Sequence, residues 1–404
     1  MDTLTIPPDS VVAGTLITDG SRIDDAVVAV TDGTITYAGP SREAPRTAGW
    51  PGAAVVPDDA VILPGLVDLH CHGGAGGDFG SGDVDQARAA AAFHRRSGTT
   101  TQLASLVTDG GDSMVEKTKV LVELAAADEI AGIHWEGPFL SPQRPGAQDT
   151  TYITAPDLDL VGRLVDAAAG FGATMTFAPE LSGVEALISQ LTMSDVVPSV
   201  GHTDAGYNDA GAALAQAAAD LGGSSGMLDQ RPTVTHLFNG MRPMHHRDAG
   251  TVAAALQAAG DGDAVIELIA DGVHLAPEMV RLVFSLVGAP NIALVTDAMA
   301  AAGCADGSYR LGPVDVVVTD GVARLAGGDS IAGGTSTLLD VVRTTVAGGV
   351  PLPEAVLSAT LAPAEVLGSA DTIGSLRTGH QADLVVCDGA LALHQVMKRG
   401  EWLL

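Results

Sequence analysis

The run Val61-Ile-Leu-Pro-Gly-Leu-Val-Asp-Leu-His-Cys-His72 decides how the chain is read. It is a short apolar stretch that ends abruptly in two histidines separated by one residue. In a strand, residues i and i+2 share a face, so His70 and His72 point the same way while Cys71 points oppositely, as a small buried apolar residue. The glycine-rich Gly73-Gly-Ala-Gly-Gly-Asp78 follows directly. It lacks the Gly-x-Gly-x-x-Gly spacing of a dinucleotide turn and lies beyond the histidines, which argues against a Rossmann unit.

Outward from this run, β-rich stretches recur at Thr99–Ser105, Ile130–Glu136, Ala173–Pro179, Val196–Gly201, Thr233–Leu237, Val265–Ala270 and Ile292–Thr296. Most gaps hold alanine-rich segments of helical spacing, such as Asp83–Ser97, Ser113–Ala126, Asp157–Gly170 and Pro277–Val287. With Val61–Leu69 these make eight strand–helix repeats, the pattern of an α/β fold of the TIM-like (β/α)8 barrel type. The ends read differently. Val11–Thr18, Asp25–Thr31 and Thr34–Ala38 are rich in Val, Ile and Thr, with Asp32-Gly33 as a hairpin turn, and Ala382–Cys387 and Leu391–Lys398 resemble them. Neither end can bury a core alone. We therefore expect residues 1–60 and 373–404 to form one small β-sandwich domain beside a barrel spanning 61–372.

Composition narrows the function. The 404 residues are 46% hydrophobic and 17% charged, with a net charge of −29. A surface so acidic repels nucleic-acid backbones and anionic lipid, so neither partner is expected, and an anionic ligand would need a local cationic pocket. No apolar run approaches the roughly 18 residues that span a bilayer. Met1–Pro8 lacks the features of a signal peptide. Three distant cysteines, Cys71, Cys304 and Cys387, give no disulfide framework. The expected location is the cytoplasm.

In such a barrel the chemistry sits at the C-terminal ends of the strands. Those ends carry His70, His72, Glu136, His202, His236 and Asp297, and the seventh strand runs into Asp271-Gly-Val-His274. Imidazole and carboxylate together are the donor set of zinc and similar divalent ions. Six donors exceed one tetrahedral shell, which suits two cations bridged by Glu136, or one cation with spare donors. Other polar residues call for plainer readings. His134 shares the face of Glu136 but suits a supporting role, Asp68 orients a neighbour, and Glu180 caps the next helix or pairs with a cation. His94 is expected to be exposed, and Gly327–Thr335 to be a loop near the site that leads into a helix over Ser336–Ala347.

The same residues resemble a known family. Pro64–His72 is similar to the first-strand signature of the amidohydrolase superfamily. His134-Trp-Glu-Gly-Pro-Phe-Leu140, Gly201-His-Thr-Asp204, Thr235-His-Leu-Phe-Asn-Gly-Met241, Ala270-Asp-Gly-Val-His274 and Thr296-Asp-Ala-Met299 look like the motifs of its N-acetylglucosamine-6-phosphate deacetylase branch. Gly374–Leu384 resembles the return to the small β domain, so the likeness covers essentially the whole chain. It implies a hydrolase of amino-sugar metabolism that releases acetate from a phosphorylated N-acetyl amino sugar. It implies Glu136, His202 and His236 as the principal metal site, His70 and His72 as a second-site pair, and Asp297 as acid/base and neighbouring donor. It also implies His274 at the substrate carbonyl, and Asn239, Gly240 and Arg247 around the sugar phosphate. The metal would be zinc, with iron, manganese or cobalt as alternatives, one or two per subunit. In a homodimer, Arg247 or His246 would reach the neighbouring site. Where the family commonly has Gly-Ala-His, this chain has Gly146-Ala-Gln148, so a neutral Gln148 meets the substrate.

Two other readings compete. Cyclic-amide hydrolases, dipeptidases and nucleobase deaminases share the fold, but several bridge their metals with a carboxylated lysine. The lysines here, Lys117, Lys119 and Lys398, lie outside the eight runs. A non-catalytic scaffold would be expected to have lost donors that are all present.

Overall fold

The computed structural model describes residues 9–45, 56–223 and 230–403; the Met1–Pro8 reading falls outside them. Eight parallel strands lie side by side in chain order: Leu66–Asp68, Thr99–Val107, Gly132–Glu136, Gly172–Phe177, Val197–Val200, Thr233–Val234, Val265–Leu268 and Ile292–Leu294. Helices cover them from outside, packed through Leu, Val and Ala on their inner faces. Two of the helices start where the sequence has an aspartate cap. The Asp83 carboxylate accepts from the N–H groups of Asp85 and Gln86, and that of Asp157 from Asp159 and Leu160.

The last strand returns to the first through an irregular seam. His72 N–H donates to the Ala298 carbonyl (2.7 Å) and Asp297 N–H to that of His70 (2.9 Å). The wholly buried Asp68 stitches the two strands together, accepting from the Thr296 hydroxyl (2.6 Å) and from the backbone N–H groups of His70 and Thr296. The protein is thus a nearly closed (β/α)8 barrel, and the seam brings the His70 and Asp297 ends of the chain together.

The run read as one strand over Val61–Leu69 is two. Val61–Pro64 pairs with Leu384–Cys387 and with Ser10–Thr18, whereas Leu66–Asp68 pairs with the second barrel strand. Gly65 makes the switch, since a Cβ there would lie 2.0 Å from the Thr100 hydroxyl oxygen. The terminal segments form a seven-stranded sheet that includes Ser21–Thr31, Thr34–Pro40, Leu393–Lys398 and Glu401–Trp402. Asp32 and Gly33 turn the hairpin between Ser21–Thr31 and Thr34–Pro40 with positive φ at both positions, 47° and 71°, the tight turn that matches strand twist. A bridge between Thr34 and Gln381 folds the sheet round its own core of Val12, Leu16, Val28, Ile62, Leu384 and Met397. This is the small β-sandwich domain.

One element has no counterpart in the sequence reading. Between the eighth strand and the last barrel helix, Gly307–Leu311, Val314–Thr319 and Val322–Leu325 form an antiparallel insert. It is seated on the barrel rim by Leu311, Val316, Val318 and Ala323 against Val107, Met299 and Ala300. The loop after it leads into the helix Leu338–Ala347, whose start Thr337 and Asp340 cap reciprocally.

Candidate metal centre at the barrel rim

Six side chains from five strand ends meet at the C-terminal rim. Glu136 Oε1 lies 2.9 Å from His202 Nε2 and 3.0 Å from His236 Nε2. Its other oxygen is 3.2 Å from His72 Nε2, which is itself 3.1 Å from His70 Nε2 and 3.3 Å from Asp297 Oδ1. Two groups of donors result: Glu136, His202 and His236, and His70, His72 and Asp297. Glu136 stands between them. His202, His236 and Asp297 adopt left-handed backbones, with φ of 45°, 29° and 47°. Such conformations cost of order 1–3 kcal/mol each in ordinary chain, and here they aim three donors inward at the points where strands end.

The hydrogen bonds behind the rings decide what faces the centre. His70 Nδ1–H donates to Glu267 Oε2 (3.1 Å), His72 Nδ1–H to the Ser105 carbonyl (3.2 Å), and His202 Nδ1–H to the Arg144 carbonyl (3.0 Å). Those acceptors place the ring protons on Nδ1 and leave lone pairs on Nε2. Yet the Nε2 atoms of His70 and His72 lie 3.1 Å apart, and those of His202 and His236 3.2 Å. Converging lone pairs repel unless a cation lies among them. Protons are one such cation. Burial alone would lower His72, but the Asp297 and Glu136 carboxylates raise it to about 9, and His70 is likewise raised well above the usual histidine range. A divalent ion satisfies the same donors with one charge centre, and the set of imidazoles and carboxylates fits it. Burial would push Asp297 up; the charge of His70 and the hydrogen bond from His72 hold it near 2.

Support comes from Glu267, which sequence reasoning missed, and from His134, which it read as a supporting residue. Glu267 accepts from His70 and also from the backbone N–H of His236, so it holds one donor of each group. Its signal was a lone carboxylate within the apolar run Val265–Ala270. His134 hydrogen-bonds to the hydroxyls of Ser105 and Thr176 and acts beneath the centre. Cys71 is buried in the helix layer, as expected.

A cavity of about 370 Å³ opens beside the donors. His274 lines it, with Nδ1 2.8 Å from the Asp271 carboxylate. Burial would lower the His274 pKa, but Asp271 raises it above the ordinary value. Gln148, Asn239 and Gly240 also line it. Gln148 donates to Glu136 Oε2 (2.7 Å) and accepts from Thr108 N–H, so much of its amide is engaged by the protein. Gly240 has φ of 59°, and a Cβ there would sit 2.8 Å from His202 Nδ1. Arg247 is not brought to this cavity; it is exposed, with Nη1 against His246 Nε2 (2.9 Å).

Two expectations fail outright. His94 is wholly buried, not exposed, with Nε2 2.9 Å from the Gly73 carbonyl; small residues on both sides let the helix approach closely enough to enclose it. Among the described residues, Glu180 caps no helix and forms no ion pair. It accepts from the Thr203 hydroxyl and Asp204 N–H and thereby fixes the turn behind His202.

The fold and the site together define a barrel hydrolase of the metal-dependent kind. Comparison with known proteins agrees: the Amidohydrolase family model matches residues 61–403. The chain belongs to that family. It is 33% identical over 393 residues to N-acetylglucosamine-6-phosphate deacetylase of Bacillus subtilis (strain 168), covering 92% of this chain and 91% of the relative. N-acetylgalactosamine-6-phosphate deacetylase of Escherichia coli O157:H7 is 30% identical, covering 96% and 97%. The crystal structure of N-acetyl-D-glucosamine-6-phosphate deacetylase from Mycobacterium smegmatis superposes with a TM-score of 0.88 at 38% identity, covering 98% of this chain and 100% of that one.

Proposed function

We propose that the protein hydrolyses the acetamido group of N-acetyl-D-glucosamine 6-phosphate, yielding D-glucosamine 6-phosphate and acetate. The observation that carries this is the convergence of Glu136, His202 and His236 beside Asp297, in a chain 38% identical to an enzyme with that name. Glu136, His202 and His236 would hold the principal cation, and His70, His72 and Asp297 a second. Zinc suits this mixture of imidazole and carboxylate. When bound, the cation supplies a water-derived nucleophile at neutral pH and polarises the amide carbonyl.

The chain's own groups supply the rest. Asp297 accepts a proton from the attacking water and later delivers it to the departing nitrogen, which is otherwise too basic to leave. His274 Nδ1–H donates a hydrogen bond to Asp271, so Nε2 can donate to the carbonyl oxygen only when the ring is cationic. Asp271 stabilises that form. Asn239 and Gly240 border the sugar, with Gln148 beside Glu136. A homodimer in which Arg247 or His246 serves the neighbouring cavity accords with the outward set of Arg247. Free thiols at Cys71, Cys304 and Cys387 suit a cytoplasmic setting, and among the described residues no helix is long and apolar enough to cross a membrane.

The test is acetate release from N-acetylglucosamine 6-phosphate, its galacto epimer and the unphosphorylated sugar. Asp297→Asn should lower kcat by about 10²–10⁴-fold while the protein still binds its cation. Near-normal turnover in that variant would remove Asp297 from the proton-transfer role.

A further inference from the structure

An acidic chain that binds a sugar phosphate must set a cation against the phosphate. The residues bordering the cavity include Glu136, Asp297 and Asp329, all acidic. Among the described residues, Arg324 is the one lysine or arginine that lines it. Arg144 and Arg242, on the loops nearby, are engaged by Asp204 and Asp248.

Arg324 lies on the last strand of the insert, next to Ala323, which is buried against the rim. The strand is pinned on the other side by a bridge to Ile331. One guanidinium nitrogen, Nη1, donates to the Asp329 carbonyl (3.0 Å). No carboxylate of the described residues forms an ion pair with it. A guanidinium has five N–H donors, so most of the fork stays free. An arginine on the cavity border, free of carboxylate partners among the described residues and anchored through a backbone carbonyl, suits bidentate phosphate binding.

We propose that Arg324 grips the substrate phosphate from within the same chain, so that the insert is the specificity element of the site. This rests on the proposed deacetylase function. The acetamido nitrogen and the phosphate leave the pyranose on opposite sides, at C2 and C6. A group carried by the insert, separate from the strand ends that carry the metal donors, can therefore read the second while the donors act at the first. Arg247 of a neighbouring subunit would add to this grip, not replace it.

The experiment is steady-state kinetics of the metal-loaded enzyme and its Arg324→Lys, Arg324→Gln and Arg324→Glu variants. Substrates are N-acetylglucosamine with and without the 6-phosphate, and inorganic phosphate serves as a competing ligand. In Arg324→Gln, KM for the phosphorylated sugar should rise about 10- to 100-fold, the range for one charge-assisted pair. The glutamate variant should be worse and the lysine variant intermediate. Rates on the unphosphorylated sugar should stay within about twofold, and inhibition by inorganic phosphate should weaken in parallel. Equal losses on both sugars would mean that Arg324 only holds the 327–333 loop, and would overturn the proposal. So would full retention of phosphate discrimination in Arg324→Gln. If the wild-type enzyme itself ignores the phosphate or releases no acetate, the proposed function fails and this inference with it; a discriminating wild type with unchanged variants sinks the inference alone.

Discussion

The barrel rim and the terminal sheet use similar strands to opposite ends. In the sheet, Val and Ile close over an apolar core, and the ion pair of Arg377 with Asp19 lies outside it, the arginine side chain 52% exposed. At the rim, Asp68, Glu136, Glu267 and Asp297 are buried together with four imidazoles. An isolated buried ion costs several kcal/mol, so the rim is stable only because every carboxylate there meets a ring, a backbone N–H or a cation. The sheet is held by area and the rim by complementarity. Single substitutions should therefore be graded steeply between the two regions.

The steepest effect is expected at Glu136, whose carboxylate stands between the two donor groups within reach of His202, His236 and His72. Glu136→Gln should abolish stoichiometric metal binding and lower acetate release by more than about 10³-fold, because even supporting residues of such centres cost 10- to 100-fold. Metal content by elemental analysis alongside kinetics checks it; a variant with full metal would break the bridging assignment. Glu267→Gln comes next. It keeps the shape but removes the charge that orients His70, and should weaken metal affinity about 10- to 100-fold, read by competition with a chelator.

His94 sharpens the comparison from beneath the rim. Burial lowers its pKa to about 4 from an ordinary 6.5, so the unfolded chain takes up its proton first as pH falls. Its contribution is complete above pH 6.5 and is lost on going down toward 4, on the order of 3 kcal/mol in all. His94→Gln retains a donor for the Gly73 carbonyl without titrating, so denaturant unfolding of that variant should depend less on pH across this window. A variant with the wild-type pH slope would mean that the ring titrates normally. The smallest effect belongs to the sheet: Arg377→Ala should change stability by no more than about 1 kcal/mol and leave turnover unaltered. A loss comparable to that at the rim would show that the two regions are not energetically separate.

Periodicity is local, and what is local was legible. The alternation of strands with alanine-rich helices, the helical segments opening at Asp83 and Asp157, and the polar residues at several strand ends could all be read in short windows. So could the donor set, because strand ends of a parallel barrel share one rim. Glu267 was hidden by an apolar run whose facing residues are known only once His70, 197 positions away, lies beside it. His94 was misread because its helix looked like a surface helix, and only Gly73 and its neighbours across the gap enclose it. Arg324 lies in a segment of short strands for which the sequence reading had no assignment.

The sequence by itself determined the barrel, the paired ends and the identity of the donors, since hydrophobic spacing and residue chemistry are properties of the chain alone. Only the tertiary structure decided that Gly65 splits the first run between two sheets, that Asp68 seals the seam, and which acceptors stand behind the rings of His70, His72 and His202. It also decided that Arg324 faces the cavity while Arg247 turns outward. These depend on contacts between residues far apart in the chain, and the energy of a buried charge is set by whatever folding brings against it.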